Sequence, residues 1–183
     1  SRFLPLGRTI PASNDHGIAQ IGRLEHATLE GSALVPMHLH QNEEILSYLR
    51  KGTMHHKDSD GNEIPIHNKH LMLMNAGSGI QHEEGVRDGD ETVEMLQIFI
   101  RPKADRLKPK IQLYEPDQIN SLNQWRLLAG YERSGAPMLF RSEVLFYDLH
   151  LEVGNIIKTP NLEGDTGFLY LFSGNVAVGG NCE

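Results

Sequence analysis

Residues 35–84 read VPMHLHQNEEILSYLRKGTMHHKDSDGNEIPIHNKHLMLMNAGSGIQHEE, and the reading of this stretch decides the fold. His38 and His40 open it, and His82 and Glu84 close it with the same spacing. In an extended chain, residues i and i+2 point to one face. Each pair therefore projects together, and two strand edges can bring four side chains around one metal ion. This set of nitrogen and oxygen donors suits Fe(II), Mn(II), Ni(II), Cu(II) or Zn(II), and does not suit a thiolate site. On an octahedral metal, four ligands leave up to two positions for water, O2 or substrate. A single His-x-His is as readily an exposed pair; the two pairs on either side of a hairpin array make the case.

The turns between the pairs are those a small barrel needs. Ile45 to Leu49 reads as a short strand turned by Lys51-Gly52, and Thr53 to Lys57 as another. Asp58-Ser59-Asp60-Gly61-Asn62 is a hairpin turn rich in residues that tolerate positive φ. Glu63 to Ile66 returns, Leu71 to Met74 is wholly apolar, and Ala76-Gly77-Ser78-Gly79 lets the backbone approach a neighbour closely. Upstream, Ile18 to Leu29 alternates weakly; downstream, Glu91 to Ile100 forms a longer strand. Short strands at this spacing predict a β-sandwich or barrel.

Outside this unit the chain changes character. Residues 1–14 read as an irregular arm. RPKADRLKPK, from Arg101 to Lys110, reads as an exposed connection, and Ile119 to Leu128 is the best helix candidate. Met138 to Val153 alternates over a long span. Phe168 to Phe172 and Asn175 to Val178 flank Ser173-Gly174, and this second β region stops just after a hairpin begins. Tyr48 to Gly52 and Tyr170 to Gly174 are both strands running into a glycine, which fits two units of similar build. The expected division is residues 1–100 as the metal-binding barrel, 101–134 as a linker with a short helix, and 135–183 as part of a second barrel.

With 183 residues, 39% of them apolar, the chain can bury a core in one or two small domains. A formal net charge of −7 argues against an electrostatic hold on nucleic acid. The lone Cys182 excludes an internal disulfide framework and fits a reducing compartment, so a cytoplasmic location is expected. No apolar run approaches the roughly 20 residues of a membrane span.

At this point the chain resembles a known family. His38-Leu39-His40 followed by Glu44 and Gly52 looks like the first motif of the cupins in the form found in pirins. Ala76-Gly77-Ser78-Gly79-Ile80-Gln81-His82-Glu83-Glu84 looks like the pirin second motif, and His56 to Gly61 resembles the hairpin between them. Leu39 and Gln41 stand where pirins commonly have Pro and Arg, Glu43 replaces an aromatic residue, and Asn68-Lys69-His70 replaces a Pro-Gly-Asp turn. The ligand positions match, while the pocket wall differs.

The resemblance implies an all-β bicupin: two tandem jelly-roll barrels, the second incomplete in this chain, with metal only in the first. It implies His38, His40, His82 and Glu84 as ligands of one divalent transition metal, Fe(II) foremost, with Mn, Ni, Cu or Zn as alternatives. Two functions follow from it. One is an oxygenase that opens the ring of a flavonol such as quercetin, with a small phenolic substrate. The other is a non-catalytic, metal-dependent regulator acting through a protein partner, with no direct nucleic acid or membrane contact. In the oxygenase reading, Glu84 or Glu44 takes the substrate hydroxyl proton. Glu44 is a metal ligand in many cupins; here it reads rather as a partner orienting a ligand histidine. Of the adjacent His55 and His56, at most one faces inward, with packing near the turn as its expected role. Glu43 is expected on the opposite face from Glu44, toward solvent or over the pocket. Met72, Met74 and Met95 read as core filler, and Trp125 as a packing anchor.

Overall fold

The computed structural model describes residues 17–118, 121–160 and 164–179. The expected N-terminal arm lies outside them. The described residues form only strands and irregular segments, so the chain is all-β. Nine strands build the N-terminal unit: β1 (Ile21–Leu29), β2 (Leu34–His40), β3 (Glu44–Lys51), β4 (Thr53–Asp58), β5 (Glu63–His67), β6 (Leu71–Asn75), β7 (Ile80–Gly85), β8 (Val93–Ile100) and β9 (Lys110–Tyr114). They make a five-stranded antiparallel sheet in the order β1-β8-β3-β6-β9, facing a four-stranded one in the order β2-β7-β4-β5. A smaller sheet combines β10 (Arg126–Gly130), β11 (Met138–Leu139) and β12 (Phe146–Asp148), in the order β11-β10-β12.

The five-stranded sheet is covered on both faces. Its odd phase on β3 and β8, Ile45, Leu49, Met95 and Phe99, looks into the barrel toward Met54, Ile66, Ile80 and Val86 of the opposite wall. Its even phase, Leu46, Leu96, Ile98 and Ile100, packs with Leu128, Ala129, Met138 and Phe140 of the C-terminal unit. Burial of both faces explains the unbroken apolar run on β6: Met72 and Met74 enter the barrel, while Leu73 and Leu71 join the other core.

Three expectations need correction. The helix over Ile119 to Leu128 is not formed; residues 119 and 120 lie outside the described set, and β10 occupies Arg126–Gly130. The Ser121 hydroxyl bonds the Gln124 carbonyl, a local bond that competes with helix formation. Arg126 then pairs across the ladder with Asp148 through two bonds, at 2.9 and 2.6 Å. The connection after Arg101 is shorter than expected, because KIQLY forms β9 and pairs with β6 from Leu71↔Tyr114 to Asn75↔Lys110. The first sheet thus draws on residues beyond 100. Finally, the long strand over Met138 to Val153 breaks into two short ones, and Phe168–Phe172 and 175–178 form no ladder among the described residues. Tyr170 and Phe172 instead lay their rings against His26 and Tyr48 on the outer face of the five-stranded sheet. The C-terminal unit is therefore only part of a second barrel.

The glycine turn after β6 binds the chain ends that carry the candidate ligands. Asn42 donates to the Gly77 carbonyl at 2.9 Å, Ala76 to the Glu43 carbonyl at 2.8 Å, and Ser78 to the Leu107 carbonyl at 2.7 Å. Gly77 has φ +54°, and a Cβ there would strike the Leu107 carbonyl oxygen. Gly61, with φ +89°, has open space around the same position. Gly77→Ala should therefore destabilise the protein by more than about 2 kcal/mol, and Gly61→Ala by about 1 kcal/mol. Urea denaturation measures both; equal losses would contradict the close approach at Gly77.

Candidate metal centre

An extra residue in β2 aims the first two histidines. Val35 pairs with Glu84, but the next inward pair is His38 with His82, so β2 advances one residue more than β7 between them. This bulge at Pro36 and Met37 shifts the alternation and turns His38 and His40 to the inner face. Proline fits there because β2 is an edge strand and needs no donor at that point. On β7, Ile80, His82 and Glu84 face inward, and on β4 so do Met54, His56 and Asp58. Register sets Asp58 opposite His82 and His56 opposite Glu84. The inner wall is thus a lattice of polar groups between two apolar clusters.

The structure brings His38, His40 and His82 into one group, with a ligating nitrogen of each within 4.8 Å of the others. His82 is buried; His38 and His40 are half-buried at the edge. His38 Nδ1 lies 2.8 Å from the Pro36 carbonyl, which can only accept, so this nitrogen carries the proton. His40 Nδ1 donates to Glu43 Oε2 at 2.8 Å. In the neutral tautomer these contacts select, each ring presents a bare Nε2. The Nε2 atoms of His38 and His82 stand 3.2 Å apart. Metal–nitrogen bonds of about 2.1 Å place neighbouring ligand nitrogens roughly 3.0–3.4 Å apart, which matches this spacing. The residues present fit a divalent cation.

Glu84 is buried nearby with a different set of neighbours. Its Oε1 lies 3.8 Å from His82 Nδ1 and, with His56, forms a second close group. Oε2 accepts from Gln97 at 2.7 Å, while Oε1 is buried with no hydrogen-bond partner. Burial pushes its carboxyl up to about 7. A buried carboxylate oxygen without a donor is costly, and a cation or a substrate hydroxyl would satisfy it.

Glu44 belongs to neither group. It sits in the even phase of β3, which faces away from the barrel interior. Its Oε1 accepts from Asn75 at 2.6 Å and its Oε2 from the Arg141 backbone at 2.8 Å, tying the sheet to the C-terminal unit. Burial raises its pKa. The residue that orients a candidate ligand is Glu43, placed just before β3, where strand parity does not apply.

Of His55 and His56 one faces inward, as expected; it is His56, and the sequence reading did not single out Asp58 as its inward neighbour. His56 Nε2 lies 3.0 Å from Asp58 Oδ2, and His56 Nδ1 lies 3.3 Å from His82 Nδ1. Burial pushes the Asp58 carboxyl up, but bonds from Asn62 and His56 outweigh it and hold the group below the usual range. His55 points outward to Asp90 at 3.1 Å. The period-2 alternation of TMHHKD, read against buried Met54, was the available signal: it puts His56 and Asp58 on the same face as Met54.

A jelly-roll barrel that gathers imidazoles on its inner wall from the strand edges β2 and β7 has the architecture of a cupin. Residues 14–100 match the Pirin family, so the N-terminal part of the chain is pirin-like. A Pasteurella multocida protein provisionally named quercetin 2,3-dioxygenase is 40% identical over 144 residues, covering 78% of this chain and 60% of that protein. The Escherichia coli K12 quercetin 2,3-dioxygenase is 29% identical over 99 residues, covering 54% of this chain and 43% of the relative. The crystal structure of YhhW from Escherichia coli aligns with TM-score 0.67 and 25% identity, over 73% of this chain and 56% of that one. The same bacterial pirin in complex with nickel(II) aligns with TM-score 0.68 and 21% identity, over 79% and 62% of the two chains. The chain thus spans about 60% of the first of these relatives.

His82 also shapes the pH response of the metal-free protein. Burial, and then the neighbouring His40, His38 and His56, lower its pKa from 6.5 to about 3. Between these values the unfolded chain binds a proton at His82 that the folded chain does not, so the contribution is present above pH 6.5 and lost as pH falls toward 3. Glu84, raised from 4.5 to about 7, gives a slope of opposite sign between those values. His82→Asn removes the first effect and keeps the second. Denaturation at pH 7 and pH 5 should show the metal-free variant losing about 1–2 kcal/mol less than the metal-free parent; equal losses would contradict a neutral buried imidazole.

Proposed function

We propose that His38, His40 and His82, with Glu84 as fourth donor, bind one divalent transition metal, Fe(II) foremost. We further propose that the centre oxidises a small phenolic substrate of the flavonol class with O2. The observation that carries the metal site is the facing of His38 and His82 through their Nε2 atoms at 3.2 Å, while the Nδ1 atoms of His38 and His40 are each held by an acceptor. A cation at this point would take the lone pairs that the two rings turn toward each other. The names of the two quercetin dioxygenase relatives support the substrate class.

The metal would supply Lewis acidity to a deprotonated substrate oxygen and an electron path to O2. The protein's own groups prepare the substrate. Glu84 Oε1, buried and without a donor, is placed to accept the hydroxyl proton as a phenol enters. We assign this role to Glu84 and not to Glu44, whose oxygens are both engaged elsewhere. Phe99 lies 6.0 Å from the His40 ring, centroid to centroid, and the Arg23 guanidinium covers the Phe99 ring at 4.1 Å. An apolar ring topped by a cation suits a flat, acidic aromatic molecule.

Elemental analysis of purified protein, followed by O2 uptake with catechols and flavonols, tests this reading. The expectation is one metal per chain and metal-dependent O2 consumption with at least one flavonol. Separate Ala substitutions at His38, His40 and His82 should each lower both by tenfold or more. One bound metal with no O2 uptake for any phenol would refute the oxygenase and leave the non-catalytic regulator. No metal under any loading condition would refute the site itself.

A further inference from the structure

The metal reading leaves a buried pair unexplained. His56 and Asp58 are 0% and 5% exposed, deep in the wall behind His82, and neither belongs to the three-histidine group. Two imidazoles and a carboxylate in the interior cost desolvation unless they are mutually satisfied. Here they form one directed chain.

The direction follows from donor and acceptor rules. Asp58 Oδ1 is occupied by the backbone N–H groups of Asp60 and Asn62, at 2.9 and 3.0 Å, and by the Asn62 side chain at 3.1 Å. Its Oδ2 accepts from Asn62 Nδ2 at 2.8 Å and faces His56 Nε2 at 3.0 Å. An ionised carboxylate only accepts, so His56 Nε2 carries a proton. In a neutral ring that leaves His56 Nδ1 bare. This nitrogen lies 3.3 Å from His82 Nδ1, while His38 Nε2 lies 3.2 Å from His82 Nε2. A neutral His82 has one proton for these two acceptors, and we assign it to His56, the acceptor that Asp58 anchors in the buried wall. The His82 proton then sits on Nδ1, and Nε2, which faces His38, is left as a lone pair.

We propose that Asp58 and His56 are positioning residues that fix the tautomer and ring orientation of His82, so that its Nε2 is presented bare to the metal. The inference rests on the metal reading above, and extends the control of protons at the centre three side chains inward. Its origin is the DSDGN hairpin turn, whose backbone holds the Asp58 carboxylate in place. The three histidines are thereby set by three different acceptors: His38 by the Pro36 carbonyl, His40 by Glu43 and His82 by His56. Such partners of a ligand histidine commonly account for 10–100-fold in metal affinity.

The chain also predicts the effect of an isosteric change. In Asp58→Asn, Oδ1 keeps its three turn contacts, and the amide NH2 takes the place of Oδ2, giving up the second bond from Asn62 Nδ2, which still reaches Oδ1. It donates to His56 Nε2 and drives that ring's proton to Nδ1. His56 then donates to His82 Nδ1, and the His82 proton moves to Nε2, where it blocks coordination.

Nitrogen-15 NMR of histidine side chains in the metal-free protein at pH 7.5, with Ni(II) titration, tests this. The parent protein should show His82 protonated at Nδ1 and His56 at Nε2. Asp58→Asn should show both tautomers reversed, an unchanged far-UV spectrum and Ni(II) affinity lowered about 10–100-fold. His82 protonated at Nε2 in the parent overturns the proposal, with or without a variant that folds. So does Asp58→Asn with the parent's tautomers and Ni(II) affinity within twofold, or a second Ni(II) ion bound through His56. Failure of the parent to bind Ni(II), with the stated tautomers present, would count against the metal reading and not against the Asp58–His56–His82 chain.

Discussion

A buried nitrogen lone pair must be given a partner, and this constraint organises the interior of the N-terminal barrel. Two apolar clusters close off a layer that holds His56, His82, Glu84 and Gln97. Within the layer almost every polar atom finds a mate, and the exceptions are informative. Glu84 Oε1 and Ser47 Oγ have none, and the Nε2 atoms of His38 and His82 meet at 3.2 Å with only each other as partner. Protein interiors rarely leave such groups unmatched. The remaining gap in the network has the size and donor chemistry of a transition-metal ion.

The arrangement depends on backbone details that lie outside the ligands. One extra residue in β2 turns two histidines from the solvent side to the inner wall. The glycine turn at 76–79 ties the start of β7 to the loop after β2, so the two ligand-bearing strands keep their relative height. Glu44 fastens the other face of the same sheet to the backbone of Arg141. The five-stranded sheet therefore acts as a shared wall, with the polar layer on one side and the core shared with the C-terminal unit on the other.

Much of this was legible in the sequence. The short strands, the DSDGN turn and the glycine run marked an all-β barrel, and the two i, i+2 pairs marked candidate ligands. The structure gathers His38, His40 and His82 as that spacing suggests. It sets Glu84 beside His82 but grouped with His56, because the next inward position on β7 faces β4 across the ladder. What was not legible depended on register. Nothing in VPMHLH announces a bulge, so the inward turn of His38 rested on an assumption of simple alternation. Glu43, not Glu44, orients a candidate ligand, because the start of β3, between them, fixes which one is subject to strand parity. KIQLY was hidden behind a basic, proline-bearing connection, and INSLNQWRLL looked helical because its strand partner, around Asp148, is remote in sequence.

The account stands on three imidazoles converging on one ion, with carboxylate chemistry and substrate built on that base. X-ray absorption spectroscopy of the protein loaded with one equivalent of Fe(II) under anaerobic conditions measures this directly. The account predicts a first coordination sphere of nitrogen and oxygen alone, at about 2.0–2.2 Å, with multiple scattering from three imidazole rings. A sphere with one imidazole or none, or with a sulfur donor, would contradict it.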